Sequence, residues 1–378
     1  MKIGFDAKRA FLNKRGLGEY SRDIISCVTD NKNDIFLFTP RIDKNVFKKN
    51  NKHKIVLPKY KNHIYKLYWR NKGIIKDIKK HNIEIYHGLS NELPYGIHKL
   101  NVKKITTIHD VTFKKYPELF SRIQRNIYDK KTKYACKVSD IIVAVSKQTK
   151  KDIIKYYNIK EEKIKVVYQS CDDIFFKKHK DRMSKNNELY VICVGAIEKR
   201  KNIEIIVKSV EELIEEGLEI KLIIVSPELV KHKRLNKEIK EKTIHIKHNK
   251  KIIWHKTKKE NFIKIMCQLD RKELHGLYQH SIALIQPSID EGFGRPVLEA
   301  LASKTNVIAS KVEVFKEIGK NNIKYFNNKL ELKQQIKKIL KSGDYGYYNE
   351  NFNKKKELEC LGKFQYGTMK KNINELYK

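Results

Sequence analysis

Residues 283–300 read ALIQPSIDEGFGRPVLEA, which is an apolar run, a turn and the beginning of a helix. The apolar run Ala283–Gln286 has the length and content of a strand that is buried on both faces. Arg295 and Pro296 open the helix, because proline is favoured at an early helical position. A buried strand that turns directly into a helix is the repeating unit of a doubly wound parallel sheet.

The turn between this strand and helix has the chemistry of a diphosphate site. The N–H groups at a helix start attract anions, and Gly292 and Gly294 let a ligand approach the backbone closely. Glu291 precedes the helix, and Glu299 lies in its second turn. A carboxylate on each side of a phosphate site can accept hydrogen bonds from two hydroxyl-bearing groups, such as a sugar and a ribose.

The same alternation of apolar runs and helical patterns extends along the whole chain, and the polar segment Lys177–Glu188 divides it into two series. The sequence therefore predicts an α/β protein with two Rossmann-like doubly wound domains, 1–180 and 187–350, that face a central cleft. The predicted strands are Lys2–Asp6, Asp34–Thr39, Lys54–Leu57, Glu84–His87, Lys104–His109, Asp140–Val145, Leu189–Val194, Ile220–Val225, Ser281–Gln286 and Asn306–Ala309.

Glu291 and Glu299 are separated by seven residues, with Gly-Phe-Gly after the first and Pro-Val-Leu before the second. This stretch resembles the E-x7-E motif of the family 4 retaining glycosyltransferases, which have the GT-B fold. In that family the first Glu contacts the donor sugar and the second contacts the ribose, so the resemblance implies these roles here. It covers nearly the whole chain and implies that residues 351–378 hold a last helix that packs back on the first domain. The other donor-binding residues that the motif implies are Gly292, Phe293, Gly294, Val297 and Leu298.

A second segment, Val194–Asn202, is similar to the family's stretch in which an Arg-Lys pair follows a strand and holds the donor diphosphate. Two cations at a strand end stabilise the charge that builds on a leaving diphosphate. The resemblance therefore implies a catalytic role for Arg200 and Lys201. The alternative is that they are merely two of the 82 basic residues of the chain.

Two segments of the first domain also resemble the family. Thr106–Phe113 is similar to the His-Asp segment of mannosyl- and rhamnosyl-transferring members, which implies that His109 is a catalytic residue near the sugar or the β-phosphate. Gly16 and Gly18 are expected in a short flexible loop before the helix Tyr20–Val28. In the family the matching loop lies against the donor phosphate and the acceptor.

The resemblance implies transfer of a hexose from a nucleotide sugar, with retention of configuration, to a glycan or polyprenyl-linked glycan acceptor. The His-Asp and Arg-Lys-Asn segments favour mannose from GDP-mannose. No cofactor and no metal are expected, because Arg200 and Lys201 can take the place of a metal ion and no D-x-D pair is placed in a loop. A sugar-nucleotide epimerase on the same fold and an inactive scaffold are the alternatives within this architecture.

The net charge of +38, from 82 Lys and Arg against 44 Asp and Glu, attracts polyanions and leaves open a nucleic-acid-binding protein on the same scaffold. No recognised nucleic-acid module is present, so no specific nucleic-acid partner is expected. Residues 48–80 hold twelve Lys or Arg against one acid, with apolar residues at helical spacing. This pattern fits either a helix on an anionic membrane surface or a helix packed on its own sheet.

The expected location is the cytoplasm, with peripheral attachment to a membrane as an open alternative. The N-terminus has no signal-peptide pattern, and no apolar run is long enough to span a bilayer. The six cysteines include no C-x-x-C pair, which fits free thiols in a reducing compartment.

Overall fold

The computed structural model describes residues 1–14, 16–29, 33–47, 50–177, 188–226, 252–255, 262–267, 269–343 and 361–378. These residues form two compact units. The first unit is Met1–Gln169 with Tyr366–Lys378, and the second unit is Ser170–Gln365. Most of the predicted linker Lys177–Glu188 lies outside the described residues, as does Cys360.

The first unit is built on a seven-stranded parallel sheet. Its strands are β1 (Lys2–Asp6), β2 (Asp34–Phe38), β3 (His53–Val56), β4 (Ile85–Gly88), β5 (Lys103–Ile108), β6 (Ile141–Ala144) and β7 (Ile164–Val166). Their order across the sheet is β3-β2-β1-β4-β5-β6-β7. Ile3 of β1 lies beside Ile35 on one side and Ile85 on the other, and all three are buried. The buried apolar content of the central strands is typical of parallel sheets.

Seven α-helices lie between the strands in the described part of the first unit. They are α1 (Lys8–Leu12), α2 (Gly16–Thr29), α3 (His63–Tyr68), α4 (Ile74–Lys80), α5 (Thr112–Lys115), α6 (Arg122–Val138) and α7 (Lys147–Tyr157). Ser121 caps α6 and Ser146 caps α7, each by accepting a hydrogen bond from a backbone N–H three residues later.

The second unit has its own seven-stranded sheet. Its strands are β8 (Tyr190–Val194), β9 (Lys221–Ser226), β10 (Ile252–His255), β11 (Ile263–Cys267), β12 (Leu284–Gln286), β13 (Val307–Ser310) and β14 (Ile323–Phe326). Their order is β10-β11-β9-β8-β12-β13-β14, and every neighbouring pair is parallel except β10 and β11. The two units therefore have the predicted Rossmann-like architecture.

The helices of the second unit bury apolar faces on this sheet. They are α8 (Ile203–Glu215), α9 (Arg271–His280), α10 (Arg295–Ala302), α11 (Glu313–Gly319) and α12 (Lys329–Ser342). On α8 the apolar residues recur at helical spacing, and Ile206, Val210 and Leu213 are fully buried in one cluster with Ile224 of β9. The helical spacing of these apolar residues therefore matches the face that α8 buries.

The last helix, α13 (Tyr366–Tyr377), belongs to the first unit. Its Asn374 side chain donates to the Cys27 carbonyl of α2 at 3.2 Å. The Tyr377 hydroxyl lies 2.6 Å from His87 Nδ1, and His87 Nε2 lies 2.8 Å from Thr107 Oγ1. These buried hydrogen bonds join the last helix to β4 and β5.

The second unit begins before residue 180, the predicted end of the first domain. Asp172 is ion-paired with Arg271 of α9, and the Lys177 carbonyl accepts a hydrogen bond from Gln279 of the same helix at 3.3 Å. Near its other end, Phe364 packs against Phe293 with ring centroids 5.8 Å apart. These contacts explain why Ser170–Lys177 and Leu361–Gln365 belong to the second unit.

In each sheet the strand order reverses at one point, which is between β1 and β4 in the first and between β8 and β12 in the second. At such a point the connections leave in opposite directions and a crevice opens at the carboxyl ends of the strands, where ligands of these folds bind. The segments at the two crevices are those that follow β1, β4, β8 and β12.

The predicted flexible loop at Gly16 and Gly18 is wrong, because α2 already begins at Gly16. Gly18 is buried, and a Cβ there would lie 1.8 Å from the Asn13 carbonyl oxygen and 2.9 Å from that of Arg9. Glycine at 18 therefore lets α2 approach α1 closely, which is a packing requirement of this helix pair. A Cβ at Gly16 would meet nothing within 4 Å.

Among the described residues, no helix combines the length and the apolar character that a membrane crossing requires. Five cysteines in this part of the chain are free and buried. They are Cys27, Cys136, Cys171, Cys193 and Cys267.

Candidate active site

Glu291 lies at the crevice of the second sheet, in the turn that follows β12. Its side chain is only 9% exposed. Oε1 accepts hydrogen bonds from Ser288 Oγ at 2.7 Å, from Gln286 Nε2 at 3.3 Å and from Lys201 Nζ. Oε2 accepts a hydrogen bond from Arg200 Nη1 at 2.9 Å. The carboxylate therefore has four donors around it and a single orientation.

Arg200 and Lys201 lie in a short helical turn, Lys199–Lys201. This turn follows β8, the strand beside β12 in the sheet. Arg200 Nη1 also donates to the Asp290 carbonyl at 2.8 Å, and the Arg200 carbonyl accepts the Ile289 N–H at 2.9 Å. The loop after β8 is thus tied to the loop after β12. The structure brings together three predicted catalytic residues. Arg200 and Lys201 are adjacent in the chain, and Lys201 and Glu291 are 90 positions apart.

The pKa of Glu291 reflects two opposing effects. Burial raises the pKa of this carboxyl. The charges of Lys201 and Arg200 and the hydrogen bonds from Lys201 and Ser288 lower the pKa by more than burial raises it, so that it is about 2. Glu291 is therefore ionised at neutral pH and acts as a hydrogen-bond acceptor and a counter-charge. It is not an acid that could give up a proton.

The start of α10 places the other motif residues. Gly294 has φ +100°, and a Cβ there would lie 2.7 Å from the Phe315 ring, so only glycine fits this helix start. Pro296 has no N–H, and the N–H groups of Val297 and Leu298 both point to the Gly294 carbonyl, at 3.1 and 3.3 Å. Fewer amides are thus available to an anion at this helix start than the sequence suggested.

Three of the predicted donor-binding side chains belong to the core of the second unit. Phe293 is 4% exposed and packs on Phe364, and the side chains of Val297 and Leu298 are fully buried. Gly292, by contrast, lies in the turn between Glu291 and the helix, where it is partly exposed. Any ligand contact of the three buried residues would have to come from their backbone.

Glu299 lies on α10 and is 7% exposed. Its Oε2 accepts a hydrogen bond from the Tyr278 hydroxyl at 3.1 Å, and its Oε1 lies 3.7 Å from Arg295 Nε. Tyr278 and Arg295 therefore hold the carboxylate in place on the helix one turn beyond the glycine turn.

His109 belongs to the first unit and follows β5. Its Nε2 donates to the Leu89 carbonyl at 2.9 Å, its backbone N–H donates to Asn91 Oδ1 at 2.8 Å, and its ring meets the Tyr20 ring edge-on at 4.7 Å. Burial lowers the pKa of His109 to about 4. The imidazole is therefore neutral at pH 7, with the proton on Nε2 and the lone pair on Nδ1.

Several polar residues of this site were missed from the sequence. Gln286 ends β12, Ser288 is in the following turn, and both bind Glu291. Tyr278 comes from α9 and reaches Glu299 across the unit. Ser288 lies three residues before Glu291 in the motif turn, which is a signal that could have found it, whereas nothing in the local pattern links Tyr278 to Glu299. Within the described ranges, no three His, Cys, Asp or Glu side chains are gathered as metal ligands would be.

Comparison with known proteins identifies the family. The family model described as "Glycosyltransferase Family 4" matches residues 14–173, and the model described as "Glycosyl transferases group 1" matches residues 174–357. The chain belongs to the family 4 glycosyltransferases. The two matches meet close to the boundary between the two units, and the fold is that of the GT-B glycosyltransferases.

Individual relatives agree with this assignment. The glycosyltransferase is 31% identical to the O-antigen chain mannosyltransferase RfbU of Salmonella typhimurium, over 58% of this chain and 56% of that protein. It is 22% identical to O-antigen chain mannosyltransferase B of Escherichia coli, over 66% of this chain and 62% of that protein. The matched region thus spans little more than half the length of these relatives.

A solved structure matches the whole fold. A sucrose-phosphate synthase from Thermosynechococcus elongatus superposes with a TM-score of 0.75 at 16% identity, and the match covers 100% of this chain and 98% of that chain. These comparisons do not favour the alternative of a nucleic-acid-binding protein or an epimerase.

Replacing Glu291 by Gln removes the charge and keeps the shape, and takes away the buried counter-ion that Arg200 and Lys201 share. We expect the free energy of unfolding to fall by roughly 3 kcal/mol at pH 7, as for other broken buried pairs. The pKa of Glu291 is lowered from 4.5 to about 2, so its stabilising contribution is complete above about pH 4.5 and is lost as the pH falls through 2. Urea unfolding of both proteins between pH 3 and pH 7 measures this difference.

The matched control is Glu313→Gln, because Glu313 is 61% exposed and its ion pair among the described residues is with Lys316 at the surface. Its loss should stay below about 0.5 kcal/mol at every pH. A Glu291→Gln effect that is the same at pH 3 and pH 7 would contradict the low pKa of this carboxyl.

Proposed function

We propose that the protein is a retaining glycosyltransferase that moves mannose from GDP-mannose to a glycan acceptor. The observation that carries the proposal is the group formed by Glu291, Arg200 and Lys201 at the crevice of the second sheet. Two cations and one oriented carboxylate at the carboxyl ends of adjacent strands suit a ligand that has both a diphosphate and hydroxyl groups.

Arg200 and Lys201 are proposed to bind the diphosphate of the donor. Departure of a nucleoside diphosphate concentrates negative charge on its phosphate oxygens, and fixed cations stabilise that charge where it develops. Both side chains are largely buried and already oriented by Glu291, so they need little rearrangement. Since these two cations can offset the leaving charge, we propose that transfer requires no metal ion.

Glu291 is proposed to accept hydrogen bonds from hydroxyl groups of the donor sugar. Its low pKa keeps it ionised, which suits an acceptor. Four hydrogen-bond donors surround its two oxygens, and hydrogen bonding of this kind makes a carboxylate a weaker nucleophile. A covalent glycosyl intermediate on Glu291 is therefore disfavoured, and the acceptor hydroxyl is proposed to enter on the face that the diphosphate leaves.

Glu299 is proposed to bind the ribose of the nucleotide. Tyr278 and Arg295 fix its carboxylate on α10. A positioned carboxylate with two oxygens can accept hydrogen bonds from both hydroxyls of a ribose. Burying this carboxylate without partners would cost free energy, and the contacts with Tyr278 and Arg295 offset that cost.

His109 is proposed to act as a neutral hydrogen-bond acceptor for a hydroxyl group of the sugar. Because its pKa is lowered to about 4 and its Nε2–H is used by Leu89, its Nδ1 lone pair can accept a hydrogen bond from a sugar hydroxyl.

The choice of mannose rests on relatives. The two O-antigen chain mannosyltransferases among them favour a mannosyl donor and an acceptor that is a growing polysaccharide. We propose a lipid-linked glycan as the acceptor, and a nucleotide sugar as the donor partner.

The surface of α3 supports attachment to a membrane. None of its residues is fully buried, and three of its apolar side chains face solvent, while Tyr65 packs partly against the core: Ile64 is 82% exposed, Leu67 50% and Tyr68 51%. Basic residues surround them in the segment 48–80. Exposed apolar side chains within a basic segment suit the surface of an anionic bilayer. We propose that the enzyme works in the cytoplasm at the membrane surface.

Nucleotide binding tests the donor assignment. GDP at about 100 times its dissociation constant should stabilise the wild-type protein by roughly 2.7 kcal/mol, which a thermal melt detects easily. UDP should stabilise the protein less than GDP does. The variant Glu299→Ala should lose most of the stabilisation by GDP, because its contact with the ribose is gone. The control Glu313→Ala, an exposed carboxylate on α11, should behave as wild type. If no nucleotide stabilises the protein more than inorganic phosphate does, the nucleotide-sugar proposal fails.

Turnover of GDP-mannose tests the mechanism. Activity on a mannose acceptor should persist in EDTA, and NMR of the product should show the anomeric configuration of the donor. Activity that EDTA abolishes and Mg²⁺ restores would refute metal independence. A product with the opposite anomeric configuration would refute retention.

Vesicle flotation tests the membrane proposal. The wild-type protein should float with anionic vesicles at low salt, and replacing Ile64 and Leu67 together by Glu should weaken that binding at least tenfold, since burial of one such side chain contributes about 1.5–3 kcal/mol. Leu330→Glu is the matched control, because Leu330 is 63% exposed and lies on α12 of the second unit. Equal flotation of all three proteins would show that α3 does not touch the membrane.

A further inference from the structure

Hydrogen bonds between four buried side chains run from the end of α13 into the sheet of the first unit. The Tyr377 hydroxyl lies 2.6 Å from His87 Nδ1, and His87 Nε2 lies 2.8 Å from Thr107 Oγ1. Thr107 Oγ1 in turn lies 2.9 Å from the Tyr20 hydroxyl of α2. These four side chains form the buried network, and each is at most 3% exposed. The buried network therefore joins the last helix to β4, β5 and α2 away from solvent.

The direction of these hydrogen bonds follows from the charge state of His87. Burial, and then the nearby His109, lowers the pKa of His87 to about 3, so its ring is neutral at pH 7. A neutral imidazole donates from one nitrogen and accepts at the other. Since a tyrosine hydroxyl has a proton to donate, Tyr377 donates to Nδ1, and Nε2 then donates to Thr107. Thr107 keeps its own proton, which it can donate to Tyr20.

The two contacts that hold the His109 ring come from segments of this network. The ring meets the Tyr20 ring edge-on at 4.7 Å. Its Nε2 donates to the carbonyl of Leu89, which follows His87 by two residues at the end of β4. His109 itself follows Thr107 by two residues at the end of β5. The buried network therefore lies directly beside the residue that the first unit contributes to the proposed active site.

The hydroxyl of Tyr377 is not needed to anchor α13. Met369, Ile373 and Tyr377 are the buried residues of this helix, and the first two are 1% and 0% exposed. A phenylalanine at position 377 would extend the same apolar face without a polar atom to satisfy. The tyrosine is instead paired with a histidine that is 290 positions away in the chain. Its hydroxyl therefore serves the buried network rather than the packing of the helix.

Loss of this hydroxyl would change the network as far as Tyr20. His87 Nδ1 would become a buried acceptor without its donor, which costs free energy. The imidazole can reduce that cost by turning, which moves Nε2 away from Thr107. The hydrogen bond between Thr107 and Tyr20 is then no longer set in one direction, and the Tyr20 ring is held less firmly against His109.

We infer that Tyr377, His87 and Thr107 are positioning residues for His109. Through their hydrogen bonds they hold Tyr20 against the His109 ring and so fix the orientation of its Nδ1 lone pair. Because the three side chains are buried, they act through His109 and not on a ligand. The inference rests on the proposed function for the role of His109 toward the sugar. Orientation of the ring and catalytic activity are therefore measured separately.

Nitrogen-15 NMR of the histidine side chains in the full chain reads the ring directly. In the wild-type protein, His109 should carry its proton on Nε2 and titrate near its pKa of about 4, and its signal is assigned by its loss in His109→Gln. Tyr377→Phe should move this pKa upward, toward the ordinary value of about 6.5, because a loosened Tyr20 contact lets water reach the ring. Asn374→Ala is the matched control, because it removes a hydrogen bond between α13 and α2 but none of the buried network. It should leave the titration of His109 unchanged.

Variants on β5 test the middle of the network. Thr107→Val keeps the shape and removes the shared hydroxyl, so it should shift the titration of His109 as Tyr377→Phe does. Thr107→Ser keeps the hydroxyl and should behave as wild type. Thr106→Val is the matched control, because Thr106 is equally buried on the same strand and its hydroxyl has no hydrogen-bond partner among the described residues. If neither Thr107→Val nor Tyr377→Phe alters the His109 signal, the network is only structural and the inference is overturned.

Transfer of mannose from GDP-mannose connects the orientation of the ring to activity. Tyr377→Phe and Thr107→Val should lower kcat roughly tenfold, as small displacements near a reacting centre do. Their affinity for GDP should not change, because GDP lacks the mannose, and Asn374→Ala and Thr106→Val should keep the wild-type kcat. A shifted His109 titration with unchanged kcat would overturn the positioning role. If the wild-type protein transfers no mannose, the proposed function fails instead, and the NMR comparison still decides whether the buried network orients His109.

Discussion

Two neighbouring strands in each sheet send their connections in opposite directions, and the crevice that this creates at the strand ends determines where charge can be placed. The connections leave β1 and β4 in the first unit, and β8 and β12 in the second. Parallel strands bury nearly all their side chains, so charged groups are placed where the chain leaves the sheet, whereas the neutral side chains of His87 and Thr107 are accepted within it because they are hydrogen-bonded to each other. The group of Glu291, Arg200 and Lys201 lies at such strand ends, and it depends on this topology.

The two crevices differ in how their charge is balanced. In the second unit, Glu291 faces Arg200 and Lys201 and holds both, so the site is compensated before any ligand arrives. In the first unit, Arg70 is ion-paired with Asp6 and Glu92, and burial lowers the pKa of Lys8 and Arg9 while the charge of Asp6 raises it. A compensated group keeps its side chains in fixed positions, which suits the stabilisation of charge that appears during a reaction.

The overall charge of +38 explains neither arrangement. Lys and Arg are spread along the chain, and such a field attracts any polyanion without distinguishing among ligands. What separates Arg200 from the other basic residues is its hydrogen bonds to Glu291 and to the Asp290 carbonyl, which fix it at a strand end. On α3 the opposite holds for Ile64, Leu67 and Tyr68, which are exposed. Of the two alternatives that the basic segment 48–80 allowed, the packed helix holds for α4, whose Ile74 and Ile78 are buried in a core cluster that Tyr65 of α3 also contacts.

The amino-acid sequence by itself determined the α/β class, the division into two doubly wound halves, most central strands, and the strand ends at which Glu291 and Arg200 lie. Short uninterrupted apolar runs and a helix-opening proline are local signals, so they can be recognised without knowledge of the fold. The edge strand β7 (Ile164–Val166) lacks such a signal, because Lys165 interrupts its apolar residues.

Only the tertiary structure decided which face each motif residue presents. Phe293 and Val297 are buried in the core because of how α10 packs, and Gly18 is required by the approach of α2 to α1. The buried network of the first unit joins Tyr377, His87 and Thr107, which no local pattern connects, because contacts between distant segments arise only when the sheet assembles. The sequence specifies elements through local chemistry, whereas the partners of a buried charge are specified by topology.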